Sequence, residues 1–279
     1  MPQLKGGSVN GFEILKDLPQ DYTEIKIAMF DFDGTISTLR QGWESVMESF
    51  MVEMICGGNS PQEYVAREVR QYIQDSAGIQ TIFQMRWLCE AVKRHGLNPV
   101  VFDEWEYKDE YNRRLMEQVE TRVRRLMEGK ADPEDFLIEG VQDFLKSLYE
   151  AGVEIYAASG TDHEDVLREA EALGVKKFFR KMAGAPKRKA DCSKEAVLRE
   201  LINEKGFGQR QILIVGDGKV EISLGSEVGA VTLGVASDEV RREGINPVKR
   251  QRLIKAGCHA LTGDFKNYKL IMHWLRLAD

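Results

Sequence analysis

The run from Ile25 to Thr35, IKIAMFDFDGT, constrains this chain more than any other stretch. Ile25 to Phe30 is short, mostly apolar and rich in strand formers, and it breaks abruptly into Asp31, Phe32, Asp33, Gly34 and Thr35. A buried strand that releases two carboxylates at its C-terminal tip suits a parallel α/β sheet, whose carboxyl edge is where ligands sit. In a strand-like segment, residues i and i+2 point the same way, so Asp31 and Asp33 face one cavity. Gly34 permits a close turn, and Thr35 offers a hydroxyl and a backbone N–H. A plain Asp-Gly turn is the competing reading. It is outweighed by further polar segments downstream, which occur in a compatible order.

After Thr35 the period becomes helical. Trp43, Val46, Met47, Phe50, Met51 and Met54 are spaced by three and four. Gly57 and Gly58 stop that helix; Ser60 and Pro61 read as the cap and first residue of the next, with Tyr64, Val65, Val69, Tyr72 and Ile73 on its stripe. Gly78 interrupts, Ile82 to Val92 gives a third helix, and Tyr107 to Met127 a fourth, densely charged on its outside. Such Met and aromatic stripes read as core packing. Helices without strand signals, placed directly after the first strand, predict an inserted all-helical domain over residues 39–131.

From Ala131-Asp132-Pro133 onward, helices and strands alternate. Val153 to Ala158 reads as a strand ending in Ser159, Gly160 and Thr161; Lys177 to Phe179 as a short edge; Lys181 to Cys192 as a basic loop. Gln211 to Val215 is a strong strand ending in Gly216-Asp217-Gly218, with Glu221 just beyond. Ala230 to Val235 and Cys258 to Leu261 read as further strands, Gln251 to Ala256 and Asn267 to Leu277 as helices. The pattern predicts an α/β fold with a mostly parallel sheet covered on both faces, built from residues 25–38 and 132–279. Residues 1–24 form an N-terminal extension, a loose lead or a small hairpin, with no motif. The first strand lacks G-x-G-x-x-G and ends in carboxylates that would repel a pyrophosphate, and no G-x-x-x-x-G-K-[ST] exists.

If the three polar strand tips are neighbours, their groups meet at one edge. Asp31, Asp217 and Glu221 supply hard anionic oxygens, costly together without a cation, and Mg²⁺ is the natural partner. Asp217 and Glu221 are four apart, so one helical turn lets both face the site. Ser159 has a hydroxyl and Gly160 an accessible N–H for phosphate oxygens. Lys194 brings a point charge to a phosphoryl group, with Lys187 and Lys189 as rivals.

Together these segments resemble the four signature motifs of the haloacid dehalogenase (HAD) superfamily: Asp31-Phe32-Asp33-Gly34-Thr35, Ser159, Lys194, and Gly216-Asp217-Gly218-Lys219-Val220-Glu221. The resemblance runs from about residue 25 to the C-terminus, and implies a Rossmann-like core with the helical insertion as a C1-type cap that closes over the site and selects substrate. It implies Asp31 as a nucleophile forming an aspartyl-phosphate, Asp33 as general acid and base, and Lys194 as the catalytic cation. It implies Thr35, Ser159 and Gly160 as phosphoryl holders. Mg²⁺ would sit on Asp31, the Asp33 carbonyl, Asp217 and Glu221. Two departures stand out: Glu221 occupies a position where the family often has Asp, and the loop before Lys194 lacks a Lys-Pro pair.

The resemblance implies a Mg²⁺-dependent phosphatase acting on a small phosphorylated metabolite, with sugar phosphate the first choice. A phosphosugar mutase of the same fold, or a phosphonate hydrolase using a cap lysine such as Lys108, are the alternatives. Arg40, with Gln41 and Trp43, lies just beyond the first motif and is the best extra phosphate-binding candidate; Arg86, Lys108, Arg113 and Arg114 read as solvated cap charges. A formal net charge of -6 argues against nucleic acid or an anionic membrane as main partner. No run is long enough to span a bilayer and no signal peptide is evident, so the chain reads as cytoplasmic. Cys56, Cys89, Cys192 and Cys258 form no CxxC and read as free thiols; with no HExxH, zinc is disfavoured. Both a monomer and a homodimer remain open.

Overall fold

A computed structural model describes residues 8–9, 11–18, 22, 24–190, 193–203 and 208–278. Cys192 therefore lies outside the described residues, whereas Cys56, Cys89 and Cys258 are free thiols. A hairpin, β1 (Ser8–Val9) and β2 (Phe12–Ile14), precedes β3 (Ile27–Phe30). Four helices follow: α1 (Trp43–Cys56), α2 (Glu63–Asp75), α3 (Thr81–His95) and α4 (Glu104–Met127). Then come α5 (Val141–Glu150), β4 (Glu154–Asp162), α6 (His163–Ala172), β5 (Phe179–Ala185), α7 (Ser193–Asn203), β6 (Ile212–Gly216), α8 (Lys219–Val228), β7 (Val231–Val235), α9 (Pro247–Ala256), β8 (Ala260–Thr262) and α10 (Tyr268–Trp274).

Among the described residues the sheet has eight strands, in the order β1-β2-β8-β7-β6-β3-β4-β5. From β8 to β5 every pairing is parallel, while β2 joins β8 antiparallel. Within the N-terminal extension, the β1–β2 hairpin thus lengthens the sheet. The α/β class, the mostly parallel sheet and the helical cap inserted after the first core strand are all as the sequence implied.

Alternation along the central strands builds the two faces. Ala28, Phe30, Ile155, Ala157, Leu213 and Val215 belong to one buried layer, and Ile27, Met29, Tyr156, Ala158, Ile212 and Ile214 to the other, under Val197, Leu198 and Leu201 of α7. Slipping β3 by one residue would exchange its faces and misplace Phe30, whose full burial is worth about 2–3 kcal/mol. That register puts Phe30 opposite both Ala157 and Val215, so Asp31, Ala158 and Gly216 come level at the same end of the sheet.

Several boundaries differ from the sequence reading. α2 starts at Glu63 with the extended Gln62 as its cap, and Ser60 and Pro61 stay outside the helix. β5 runs through Lys181–Ala185, read from sequence as loop; it is an edge strand, where exposed Arg180 and Lys181 cost little. β4 continues past Ala158 to Asp162, with an irregular register there. α9 begins at Pro247, capped by the Asn246 side chain, four residues before the predicted start. No helix among the described residues is long and apolar enough to cross a membrane.

Candidate active site

Asp31 follows the last residue of β3, and its N–H donates to Val215 O of β6 at 2.8 Å. That bond ties the carboxylate to the neighbouring strand, whose own tip carries Asp217. Gly34 then turns the chain at φ +73°, and a Cβ there would stand 2.6 Å from Asp217 Oδ2. Only glycine lets the backbone pass this close at that φ. The Ser237 hydroxyl donates to Gly34 O at 2.9 Å and secures the turn from the loop after β7.

Asp31, Asp217 and Glu221 each offer one oxygen, and the three lie within 4.8 Å of one another. Glu221 reaches back from the first turn of α8, where its Oε1 accepts the Gly218 N–H. Lys194, from the first turn of α7, is buried among them: its Nζ is 3.1 Å from Asp31 Oδ1 and 2.7 Å from Glu221 Oε2. Burial drives the Asp31 carboxyl well above the ordinary carboxylate range; Lys194 opposes this, while Glu221, Asp217 and Asp33 reinforce it. Burial also disfavours the Lys194 charge, yet Asp31 and Glu221 outweigh it and hold the ammonium above its usual range. Crowded hard oxygens of this kind fit a divalent cation of the Mg²⁺ type.

Asp33 points along the same edge. Its Oδ2 accepts from Ser159 Oγ at 3.2 Å and Thr161 Oγ1 at 2.8 Å, both on β4. Asp33 Oδ1 and Thr35 Oγ1 are buried without a hydrogen-bond partner among the described residues. Orphaned polar atoms beside a carboxylate cluster are what a polar ligand would satisfy.

A cavity of about 120 Å³ lies between this edge and the helical insertion, lined by Asp31, Asp33, Ser159, Gly160, Lys194 and Asp217 among others. From the other side the α2–α3 connection descends on the site. Gly78, at φ +91°, sits where a Cβ would be 3.4 Å from Gly218 Cα and 3.8 Å from Lys194 Nζ. Lys108 and Asn112, one turn apart on α4, both donate to the Asp162 carboxylate at the end of β4, the latter at 3.0 Å. Lys108 is thus a buried cavity residue and not the solvated charge expected; Arg86 and Arg113 are exposed, and Arg114 pairs with Glu53 and Glu110. Gln41 and Trp43 line the cavity, as does Arg40. The Arg40 guanidinium, expected to bind phosphate, is already engaged: its Nη2 is 2.6 Å from Glu169 Oε1 and 3.3 Å from Asp165 Oδ2.

A second cationic pair went unread in the sequence. Lys249 and Arg252 stand three apart on α9, on one face. Lys249 Nζ lies 2.8 Å from Asp217 Oδ2 and 2.7 Å from Glu239 Oε1, and Arg252 donates to Asp217 O at 2.9 Å. Burial raises Asp217, but Lys249 and Arg252 outweigh it and hold its carboxyl below the ordinary value. Glu239 and Glu44, also at this margin, are raised chiefly by burial. The Asn246-Pro247 cap was the missed signal: starting the helix at Gln251 leaves Lys249 in a loop, off the Arg252 face.

The family profile of the haloacid dehalogenase-like hydrolases matches residues 28–235. Similar solved structures include a "predicted phosphoglycolate phosphatase" from Haemophilus somnus 129pt, at 17% identity and TM-score 0.61, covering 90% of this chain and 99% of that one. A "beta-Phosphoglucomutase" from Clostridium difficile matches at 14% identity and TM-score 0.60, covering 90% and 97%. A "predicted phosphatase" from Clostridium acetobutylicum matches at 14% identity and TM-score 0.59, covering 90% and 100%. At such identities the likeness is one of fold. No curated protein matches the chain in sequence. With a profile that spans most of its length and strand-end residues that meet at one sheet edge, the chain belongs to the haloacid dehalogenase-like hydrolases.

Proposed function

We propose that this chain is a Mg²⁺-dependent phosphatase that hydrolyses a small phosphorylated metabolite through an aspartyl-phosphate on Asp31. The observation that carries this reading is Asp31 itself: a buried carboxylate at a strand tip, 3.1 Å from a buried lysine, within 4.8 Å of two further carboxylates, and two residues from a second acid.

In this reading an Asp31 oxygen attacks phosphorus, the bond to the leaving oxygen breaks, and Asp33 gives that oxygen its proton. The ionised Asp33 then takes a proton from water as the water attacks the phosphoryl group on Asp31, which restores both side chains. Thr35, Ser159 and the Gly160 N–H hold the phosphoryl oxygens, and Lys194 offsets their charge. Asp31, the Asp33 carbonyl, Asp217 and Glu221 would hold Mg²⁺, which when bound neutralises charge developing on the phosphoryl oxygens. Residues 39–131 act as the cap, contributing Lys108 and Asn112 to the closed cavity.

A cavity of about 120 Å³ suits a small ester. Its amides and carboxylates (Gln41, Glu44, Asn112, Asp162), with Trp43, favour a hydroxyl-rich leaving group, hence a sugar phosphate. A phosphosugar mutase uses the same groups, and some similar structures are described as phosphoglucomutases. The test is a panel of sugar phosphates, phosphoglycolate and simple alkyl phosphates, with Mg²⁺ or EDTA, read for both inorganic phosphate and isomerised ester. Metal-dependent phosphate release supports the phosphatase; isomerised sugar phosphate without net release would replace it with the mutase.

A further inference from the structure

Arg40 stands in the connection between β3 and α1, almost fully buried. Its fork is fixed on Glu169 of α6: Nη2 at 2.6 Å from Oε1, and Nε at 3.1 and 3.3 Å from the two oxygens. Glu169 is itself completely buried, and Asp165 adds a contact at 3.3 Å to Nη2. A bidentate pair of this kind sets the guanidinium plane, which a lysine cannot reproduce. So held, with its Nε–H turned to Glu169, the guanidinium charge lies beside Asp33, Nε standing 3.7 Å from Asp33 Oδ1.

That oxygen is the Asp33 carboxyl oxygen without a hydrogen-bond partner among the described residues, while its Oδ2 receives the Ser159 and Thr161 hydroxyls. Asp33 is therefore bounded on both sides: two hydroxyls on one oxygen, a fixed positive charge facing the other. Three carboxyl groups, of Asp33, Asp165 and Glu169, surround the Arg40 guanidinium, and Arg168 shares Asp165 at 3.7 Å. Such a setting suits holding a carboxylate and disfavours a phosphate dianion.

We propose that Arg40 is a positioning residue for Asp33: anchored on Glu169, its guanidinium holds the Asp33 carboxyl in the orientation that delivers a proton to the leaving oxygen. This rests on the reading of Asp33 as general acid. A residue that acts through the acid matters most where the leaving oxygen needs protonation, as in an alkyl phosphate, and least for a stable leaving anion such as 4-nitrophenolate.

The test compares kcat/KM, which reports steps up to phosphorylation of the enzyme, for an alkyl phosphate and for 4-nitrophenyl phosphate. The proteins are wild type, Arg40→Lys, and the double variant Arg40→Gln/Glu169→Gln, which removes the buried charge together with its partner. Thermal melts establish that each is folded. The expected result is a loss for the alkyl ester at least about tenfold greater than for the aryl ester in the double variant, with a smaller bias of the same sign in Arg40→Lys. Should the double variant fail to fold, the bias in Arg40→Lys decides. Equal losses for both esters, as a phosphate ligand or a merely structural staple would give, overturn the proposal, and so does no loss. A wild type inert toward both esters overturns the phosphatase reading and this role with it.

Discussion

The Nζ of Lys194 stands 3.1 Å from Oδ1 of Asp31, with both side chains almost completely buried. Lys194 is one of the cations that offset this carboxylate cluster, and Glu221 Oε2 shares it at 2.7 Å. Removing one partner of a buried charge pair leaves the other uncompensated. Lys194→Met is expected to destabilise the fold by about 3 kcal/mol, seen in denaturant melts. It should lower phosphate release at least about 100-fold. A variant that turns over like wild type would remove Lys194 from the chemistry.

Lys249 orients the Asp217 carboxylate from α9, at 2.8 Å from its Oδ2. Partners of this kind usually tune metal affinity about 10–100-fold. In Lys249→Met the Mg²⁺ concentration for half-maximal phosphate release is therefore expected to rise by about tenfold, with a smaller effect on the rate at saturating metal. An unchanged metal titration would mean that Lys249 serves only packing and charge balance.

Glu169 links the site to pH-dependent stability. Burial pushes its carboxyl up to about 7, against the Arg40 charge and with Asp33 adding to the rise. The folded state thus binds this proton more tightly than the unfolded chain does. The contribution is complete below the unfolded carboxylate pKa and is lost as pH rises through about 7. It amounts to roughly 3 kcal/mol at most. Melting temperatures between pH 5 and 8 should fall with rising pH, and Glu169→Gln should flatten that slope. A slope identical in the variant would assign it to other groups.

What was legible in the sequence was what short spacing encodes. Asp31 and Asp33 share a strand tip, Glu221 lies one helical turn beyond Asp217, and Lys194 opens a helix; each comes from local periodicity. The Asn246-Pro247 cap would have put Lys249 and Arg252 on one helix face, but their meeting with Asp217, and that of Glu239, was not legible, since only the order of β6, β7 and β3 in the sheet brings the elements after β7 back over Asp217. Lys108 was read as a solvated charge because its helix is densely charged, and helical position alone does not reveal that its turn faces Asp162. The length of β5 was hidden for a related reason: at an edge, pairing with β4 outweighs the charges of Arg180 and Lys181. The partner that claims Arg40 lies in α6, 129 positions along the chain, and no motif announces it.

The proposed chemistry rests on Asp31 as the covalent nucleophile. The most direct measurement is acid quench of wild type and Asp31→Asn during turnover of a phosphomonoester with Mg²⁺, followed by mass spectrometry of the peptide spanning the β3 tip. A phosphoryl group on Asp31 in wild type, with neither adduct nor phosphate release in Asp31→Asn, is the predicted result. Sustained phosphate release by a folded Asp31→Asn protein would contradict it.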